Sequence, residues 1–282
     1  MTTWFITGAA RGFGRELTRQ VLERGDKVVA TARNPRTVQE EFSGYGDRLL
    51  APALDVTDEA QARAAVDAAV DAFGTIDVLV NNAGRGVLGA VEETSDAAFR
   101  SVYDTNVFGL ANVTRAVLPV MRRQRSGHIL NLSSIGGFRA APGFGVYCST
   151  KFAVEGLSEA MHDELAPLGI KVTVVEPGYF RTDFLDATSL HTEGQVIEDY
   201  ATTAGAVRDA VPGLNHDQPG DPVKGAAAMI ALADAENPPL RAQLGSDCAA
   251  AMDEKIAHLR KEADTWRDLA LSTDHDDTRS KV

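Results

Sequence analysis

Residues 7–14 read Thr7-Gly8-Ala9-Ala10-Arg11-Gly12-Phe13-Gly14. A short β-prone segment at residues 4–7 precedes them, and Phe13, Leu17 and Val21 follow at the four-residue spacing of a helix. The order is therefore strand, tight turn, helix. Glycine permits such a turn and lets the backbone come close to a pyrophosphate at a helix N-terminus. A dinucleotide is the expected ligand of this turn.

The same alternation continues outward. Residues 27–32 and 49–54 are β-like, with a short polar helical stretch at 37–42 between them. An Ala-rich helix is expected over 59–73, stopped by Gly74, and Val78, Leu79 and Val80 then mark a buried strand at 77–81. A long helix is expected over 95–125, a fifth strand at 128–132, a helix at 146–165 and a sixth strand at 171–175, closed by Pro177-Gly178. Residues 179–220 are mixed and loop-like, too long for an ordinary connection, and read as a lid or binding segment. A helix at 222–235, a short strand at 242–244 and a helix at 249–271 follow, before a polar tail at 272–282 that reads as frayed. Strands that alternate with helices predict a parallel sheet covered on both faces, a doubly wound α/β fold. Such sheets bind ligands where the strand order reverses, so the strand ends at Thr7, Ala32, Asn81, Leu132 and Val175 should meet around one crevice.

Composition narrows the classes of function. The 282 residues are 44% hydrophobic and 24% charged, which is globular rather than disordered. Lys and Arg number 28 against 40 Asp and Glu, and the net charge of −12 argues against nucleic acid as a partner. Cys148 and Cys248 are too few for a disulfide framework or a Cys-rich zinc site and fit a reducing, cytoplasmic setting. No apolar run reaches the roughly 18 to 20 residues that span a bilayer, and Met1 leads directly into a strand-like segment, so neither secretion nor membrane insertion is expected. The six histidines, His128, His162, His191, His216, His258 and His275, lack ligand spacing, and no metal site is expected.

Further motifs stand at the strand ends: Asn81-Asn82-Ala83-Gly84, Asn106, Ser134 thirteen residues before Tyr147, Lys151 four residues after it, and Pro177-Gly178 with Thr182. Tyr147 and Lys151 share one helix face, with Cβ atoms roughly 5 to 6 Å apart. A phenol ordinarily titrates at about 10, and a neighbouring ammonium favours its ionised form. Lowering that value by about two to three, worth about 3 to 4 kcal/mol, would let Tyr147 exchange a proton near neutral pH. Asn106 falls inside an expected helix, where asparagine is a poor helix former. Together with the Gly-x3-Gly-x-Gly turn, these motifs resemble the classical short-chain dehydrogenase/reductase family over about residues 3 to 250.

The resemblance implies a single Rossmann-like domain over residues 1–271, with 179–220 as the substrate lid. It implies a catalytic set of Asn106, Ser134, Tyr147 and Lys151: Tyr147 as acid/base, its phenolate favoured by Lys151 and by a cationic nicotinamide together, Ser134 holding the substrate oxygen, Asn106 supporting a water. Lys151 would also contact the nicotinamide ribose. Gly8, Gly12, Phe13, Gly14, Asp55, Val56, Asn82, Ala83, Gly84, Tyr147, Pro177, Gly178 and Thr182 would bind the cofactor. Where an NAD-preferring member carries an acid after the second strand, this sequence has Arg33, and Arg11 lies in the glycine turn. Two guanidinium groups there could grip a 2′-phosphate, so NADP(H) is expected in preference to NAD(H). The expected reaction is reduction of a ketone or aldehyde to an alcohol, or the reverse. The alternative is an NADP(H)-binding regulatory or sensor protein with little turnover. Phe138, Phe144, Tyr179, Phe180, Phe184 and Leu185 suggest an apolar or bulky carbonyl substrate. A homo-oligomer is also implied.

Overall fold

The structure is a computed structural model and describes residues 1–192 and 194–275. In chain order the first half comprises β1 (Thr3–Thr7), α1 (Gly12–Glu23), β2 (Lys27–Thr31), α2 (Pro35–Glu41), β3 (Leu49–Leu50), α3 (Glu59–Phe73), β4 (Val78–Asn81) and β5 (Gly86–Leu88). Next come α4 (Asp96–Tyr103), α5 (Leu110–Gln124), β6 (Gly127–Leu132), α6 (Gly145–Leu165), β7 (Ile170–Pro177) and β8 (Leu190–Thr192). The chain continues through α7 (Ala206–Leu214), α8 (Pro222–Asp234), β9 (Arg241–Leu244), α9 (Ser246–Thr265) and α10 (Arg267–Leu271).

Seven strands form one sheet in the order β3-β2-β1-β4-β6-β7-β9, and every pairing is parallel. Successive residues of a strand point to opposite faces. Accordingly Trp4 and Ile6 enter a core shared with Leu17, Val21 and Met229, while Phe5 enters a second core with Leu79, Val113 and Ile129. All five residues of β1 are buried, as a strand covered on both sides must be. This is the Rossmann-like doubly wound sheet expected from the alternation. The order reverses between β1 and β4, which opens a crevice at their carboxyl ends.

Several local expectations are corrected. The third strand is Leu49–Leu50 alone, with a separate bridge from Ala32 to Ala53. The helix expected over 95–125 is two helices joined by a π-turn at Asp104–Gly109. The segment 179–220 is not loop-like throughout. It contains α7 and β8, and β8 pairs with β5 in a small second sheet. Arg208 of α7 forms an ion pair with the buried Glu93, whose carboxylate also accepts hydrogen bonds from the backbone of Ala90 and Ile197 at 2.8 and 2.9 Å. These contacts tie the segment to the body of the domain. The helix expected over 249–271 is divided at Trp266. Of the tail expected at 272–282, residues 276–282 lie outside the described residues.

The glycine turn is the tightest point of the fold. Gly8 has φ +67°, in the left-handed region that favours glycine. A side chain at Gly14 would overlap the Gly8 carbonyl oxygen and approach Asn82 Nδ2 within 2.6 Å. Gly14→Ala should therefore lower unfolding stability by about 1 to 3 kcal/mol, the usual cost of overpacking. Denaturant titration checks this, and an unchanged midpoint would show that α1 can slide off the turn freely.

Candidate active site

The cleft at the switch point encloses about 550 Å³. Its floor is built by the ends of β1 and β4. The Thr7 hydroxyl accepts hydrogen bonds from the Asn82 and Ala83 backbone at 3.0 Å each. The Asn82 side chain donates back to the Thr7 and Gly8 carbonyls at 2.8 and 3.1 Å. Asn82 thus locks the glycine turn in place. Helix α1 begins beside it with no side-chain cap and no acidic residue in its first turn. Its leading N–H groups are therefore left for an anion, and the close backbone approach leaves room for one.

Gly8, Arg11, Gly12, Phe13, Arg33, Asp55, Val56, Asn82, Ala83 and Gly84 all line this cleft. So do Ser134, Tyr147, Lys151, Pro177, Gly178 and Thr182. Gly14 and Asn106 stand behind the wall instead, Gly14 in the packing of α1 and Asn106 beneath Gly84. Arg33 follows β2 with its side chain exposed. Arg11 is engaged with the segment 179–220: its guanidinium donates to the Thr188 hydroxyl at 2.6 Å and the Thr188 carbonyl at 3.2 Å. The Asp55 carboxylate accepts from the Thr57 backbone and hydroxyl at 3.0 and 2.8 Å, shaping the turn after Leu54. Thr182 faces Gly12 across the cleft, and its hydroxyl caps the short turn at Asp183–Leu185.

Tyr147 and Lys151 lie on one face of α6, both buried, with Lys151 Nζ 5.8 Å from the centre of the Tyr147 ring. The ammonium donates to the Leu132 carbonyl at the end of β6 over 2.7 Å. Ser134 follows that strand, its hydroxyl accepting from the Gly136 backbone at 3.0 Å. Burial pushes the Tyr147 phenol above its ordinary value, and a hydrogen bond with Ser134 pulls it partly back. Burial brings the Lys151 ammonium down to about 8, against the opposing charge of Glu155. In the protein alone, burial opposes the acidification expected of Tyr147, because the desolvation of a phenolate is the largest influence on it.

Asn106 sits in the π-turn that divides α4 from α5. Its amide donates to the Arg85 carbonyl at 2.9 Å and the Thr150 hydroxyl at 3.0 Å, and its carbonyl accepts from the Arg85 backbone at 2.9 Å. Thr150, one residue before Lys151, was not singled out by the sequence reading. Its hydroxyl donates to the Tyr147 carbonyl at 2.7 Å and so links Asn106 to α6. Local insertion of a π-turn at a functional position is a recurrent feature of helices. Among the described residues, no group of three His, Cys, Asp or Glu side chains is placed to hold a metal ion.

Beyond Tyr147 the cleft wall turns apolar. The Phe184 ring is 5.3 Å from the Tyr147 ring and tilted by 51°, and Phe144 approaches it edge-on at 6.3 Å. Leu88, Leu185 and Leu190 join them, with Val207, Val211 and Leu214 of α7 packed behind. Phe180 packs on Phe13, 5.0 Å away. Phe138 lies outside the cleft lining. Cys148 and Cys248 are both buried free thiols. Among the described residues, no helix is long and apolar enough to cross a membrane.

Residues 2–193 match the model of the short chain dehydrogenase family. The chain is 38% identical over 271 residues to "Oxidoreductase BOA17" of Botryotinia fuckeliana, covering 96% of this chain and 98% of that protein. It is 39% identical over 241 residues to the 3-ketodihydrosphingosine reductase of Bacteroides thetaiotaomicron, covering 85% and 86% of the two chains. Among solved structures, a short-chain dehydrogenase from Streptomyces avermitilis superposes with a TM-score of 0.90 at 39% identity, covering 97% of this chain and all of that one. A short-chain dehydrogenase/reductase from Burkholderia phymatum in complex with NAD matches with a TM-score of 0.80 at 25% identity, over 94% of this chain and 95% of that one. A serine dehydrogenase complexed with NADP+ matches with a TM-score of 0.71 at 28% identity, over 86% and 94%. By its sheet, its cleft and these relationships, the chain belongs to the short-chain dehydrogenase/reductase family of oxidoreductases.

Proposed function

We propose that this oxidoreductase reduces a ketone or aldehyde carbonyl, or runs the reverse reaction, with NADP(H) as its preferred cofactor. The carrying observation is the convergence of Ser134, Tyr147 and Lys151 on one wall of the cleft, opposite the glycine turn. When bound, the nicotinamide cofactor supplies or accepts the hydride. The protein's part is to position the reactants and to move one proton.

Burial keeps Tyr147 protonated, which is the state a proton donor to a carbonyl needs. The Ser134 hydroxyl is available to donate to the same oxygen as negative charge develops on it. Lys151, held by the Leu132 carbonyl, stabilises the phenolate left behind and faces Gly84, where the cofactor ribose would lie. Asn106 and Thr150 hold the backbone around that lysine. Gly8, Gly12, Phe13 and the start of α1 would hold the pyrophosphate. Asp55, Val56, Asn82, Ala83 and Gly84 would flank the adenosine side, and Pro177, Gly178 and Thr182 the nicotinamide side.

Preference for the phosphorylated cofactor is supported by Arg33 and by the lack of a carboxylate after β2. Arg11 would have to leave Thr188 to join it. An apolar or bulky carbonyl substrate is supported by the wall formed by Phe144, Phe184 and Leu185. It is further supported by the likeness to a reductase named for a 3-keto compound. The segment 179–220 would act as the lid over that wall. A homo-oligomer in a cytoplasmic setting is supported by exposed Phe108 and Phe152 beside the central helices and by the two free thiols.

Tyr147→Phe should lower kcat for apolar ketones by about 100- to 10,000-fold, the usual weight of general acid catalysis, with a far smaller effect on the cofactor Kd. Turnover assays with a ketone panel measure this. Unchanged turnover would remove Tyr147 from the mechanism, and a preference for small charged ketoacids would remove the apolar pocket. Arg33→Ala should weaken NADPH by about 10- to 100-fold, the worth of a charge-assisted hydrogen bond, and leave NADH untouched. Fluorescence titration with both cofactors decides it, and equal weakening of the two would contradict the assignment.

A further inference from the structure

Behind the site lies a group of acids that the reaction does not use directly. Glu155 is one helical turn beyond Lys151 on α6, and Glu176 is the penultimate residue of β7, immediately before Pro177-Gly178. Both are buried, Glu176 completely. The two carboxyl groups lie close enough for the charge of one to disfavour ionisation of the other. One oxygen of each, Glu155 Oε1 and Glu176 Oε1, is buried without a hydrogen-bond partner. Two carboxylates cannot donate to one another, so the contact is favourable only with a proton between them.

The surroundings do not remove this requirement. Arg241 of β9 donates to Glu155 at 3.1 Å but is shared with Glu159. Gln243 of β9 donates to Glu176 and carries no charge. From α9, the Cys248 thiol donates to the Glu176 backbone carbonyl at 3.0 Å, and Asp247 adds a further negative charge beside Gly178. Ser133 at the end of β6 is uncharged. Lys151 is the remaining cation, and its charge is committed to the Leu132 carbonyl and the Tyr147 side of the site.

We propose that Glu155 and Glu176 are positioning residues that share one proton and thereby hold α6, which carries Tyr147 and Lys151, against the strand end that leads to the cofactor loop. The proposal rests on the reading of the cleft as a cofactor site. Loss of the proton sets two buried negative charges against each other at this junction. The separation of Pro177-Gly178 from Lys151 then changes, and cofactor affinity falls.

The sign of the pH dependence follows from the same geometry. Burial and the Glu155 charge raise Glu176 from 4.5 to about 7. Between those values the folded protein holds a proton that the unfolded chain has lost, so stability falls as pH rises across that window. Lys151 works in the opposite sense and in a separate window: its folded value of about 8 lies below the ordinary value of 10.5, so its contribution to stability rises between them.

The test compares the full-length parent with Glu176→Gln, which keeps a hydrogen bond without a charge, and with Glu155→Gln. The Tm advantage of Glu176→Gln should be small at about pH 5 and grow towards about pH 8. The parent's Kd for NADP(H) should weaken several-fold between about pH 6 and 8, whereas that of Glu176→Gln should stay flat. Infrared difference spectra of the parent should show a protonated buried carboxyl at about pH 6 that disappears by about pH 8 and is missing from both variants. No such band, or a Tm difference independent of pH, would overturn the shared proton even if one variant folds poorly, because the spectrum uses the parent. A pH-independent parent Kd alongside the band would overturn the positioning role. Failure of the parent to bind NADP(H) at any pH would instead remove the cofactor reading, and the positioning role with it, leaving the band to report on the proton alone.

Discussion

A lysine ammonium with almost no access to water is the constraint around which the site is arranged. Lys151 has one strong acceptor, the Leu132 carbonyl 2.7 Å away, and a tyrosine ring 5.8 Å off. A buried charge of this kind survives only where fixed dipoles replace its hydration. The end of β6 provides one such dipole, and Asn106 and Thr150 fix the backbone on either side. The phenol and the amine are thus moved in opposite directions by the same desolvation, Tyr147 upward and Lys151 down to about 8. A neutral donor beside a loosely held ammonium suits delivery of a proton to a carbonyl oxygen.

The parallel sheet makes this arrangement possible. Its central strands are buried on both faces, so their polar ends emerge together at one edge, and the order reversal between β1 and β4 leaves that edge open. Each motif therefore arrives from a different stretch of chain at one cleft. Thr7 and Asn82 join two of these ends through side chain to backbone hydrogen bonds, making the glycine turn part of the sheet rather than a loose loop. The segment 179–220 is held differently, through the buried Glu93 and Arg208 and through Arg11 and Thr188.

Much of this was legible in the residues. Val78, Leu79 and Val80 in succession mark a strand buried on both faces, and Gly74 marks a helix end by adopting the left-handed conformation. Tyr147 and Lys151 four apart needed only helix geometry to be placed together. What escaped depended on contacts distant in sequence or on backbone hydrogen-bonding choices. The π-turn around Asn106 left no sign beyond one ill-suited residue. Helix α7 was hidden by Gly205, Pro212 and Gly213, and β8 is only three residues long and gains its identity from pairing with β5. The upward shift of Tyr147 in the protein alone was hidden because charge is visible in a sequence while the depth of burial is not. The Glu155 and Glu176 pair was missed for the same reason, since its members lie on separate elements.

The account is tested most directly by titrating the Tyr147 phenol itself. Ultraviolet difference spectra between the parent and Tyr147→Phe isolate its ionisation, recorded with the protein alone and with saturating oxidised cofactor. The account predicts a phenol that stays protonated beyond its ordinary range in the protein alone and ionises at distinctly lower pH once the positively charged nicotinamide is present. A phenol that ionises at the same pH in both states would contradict it.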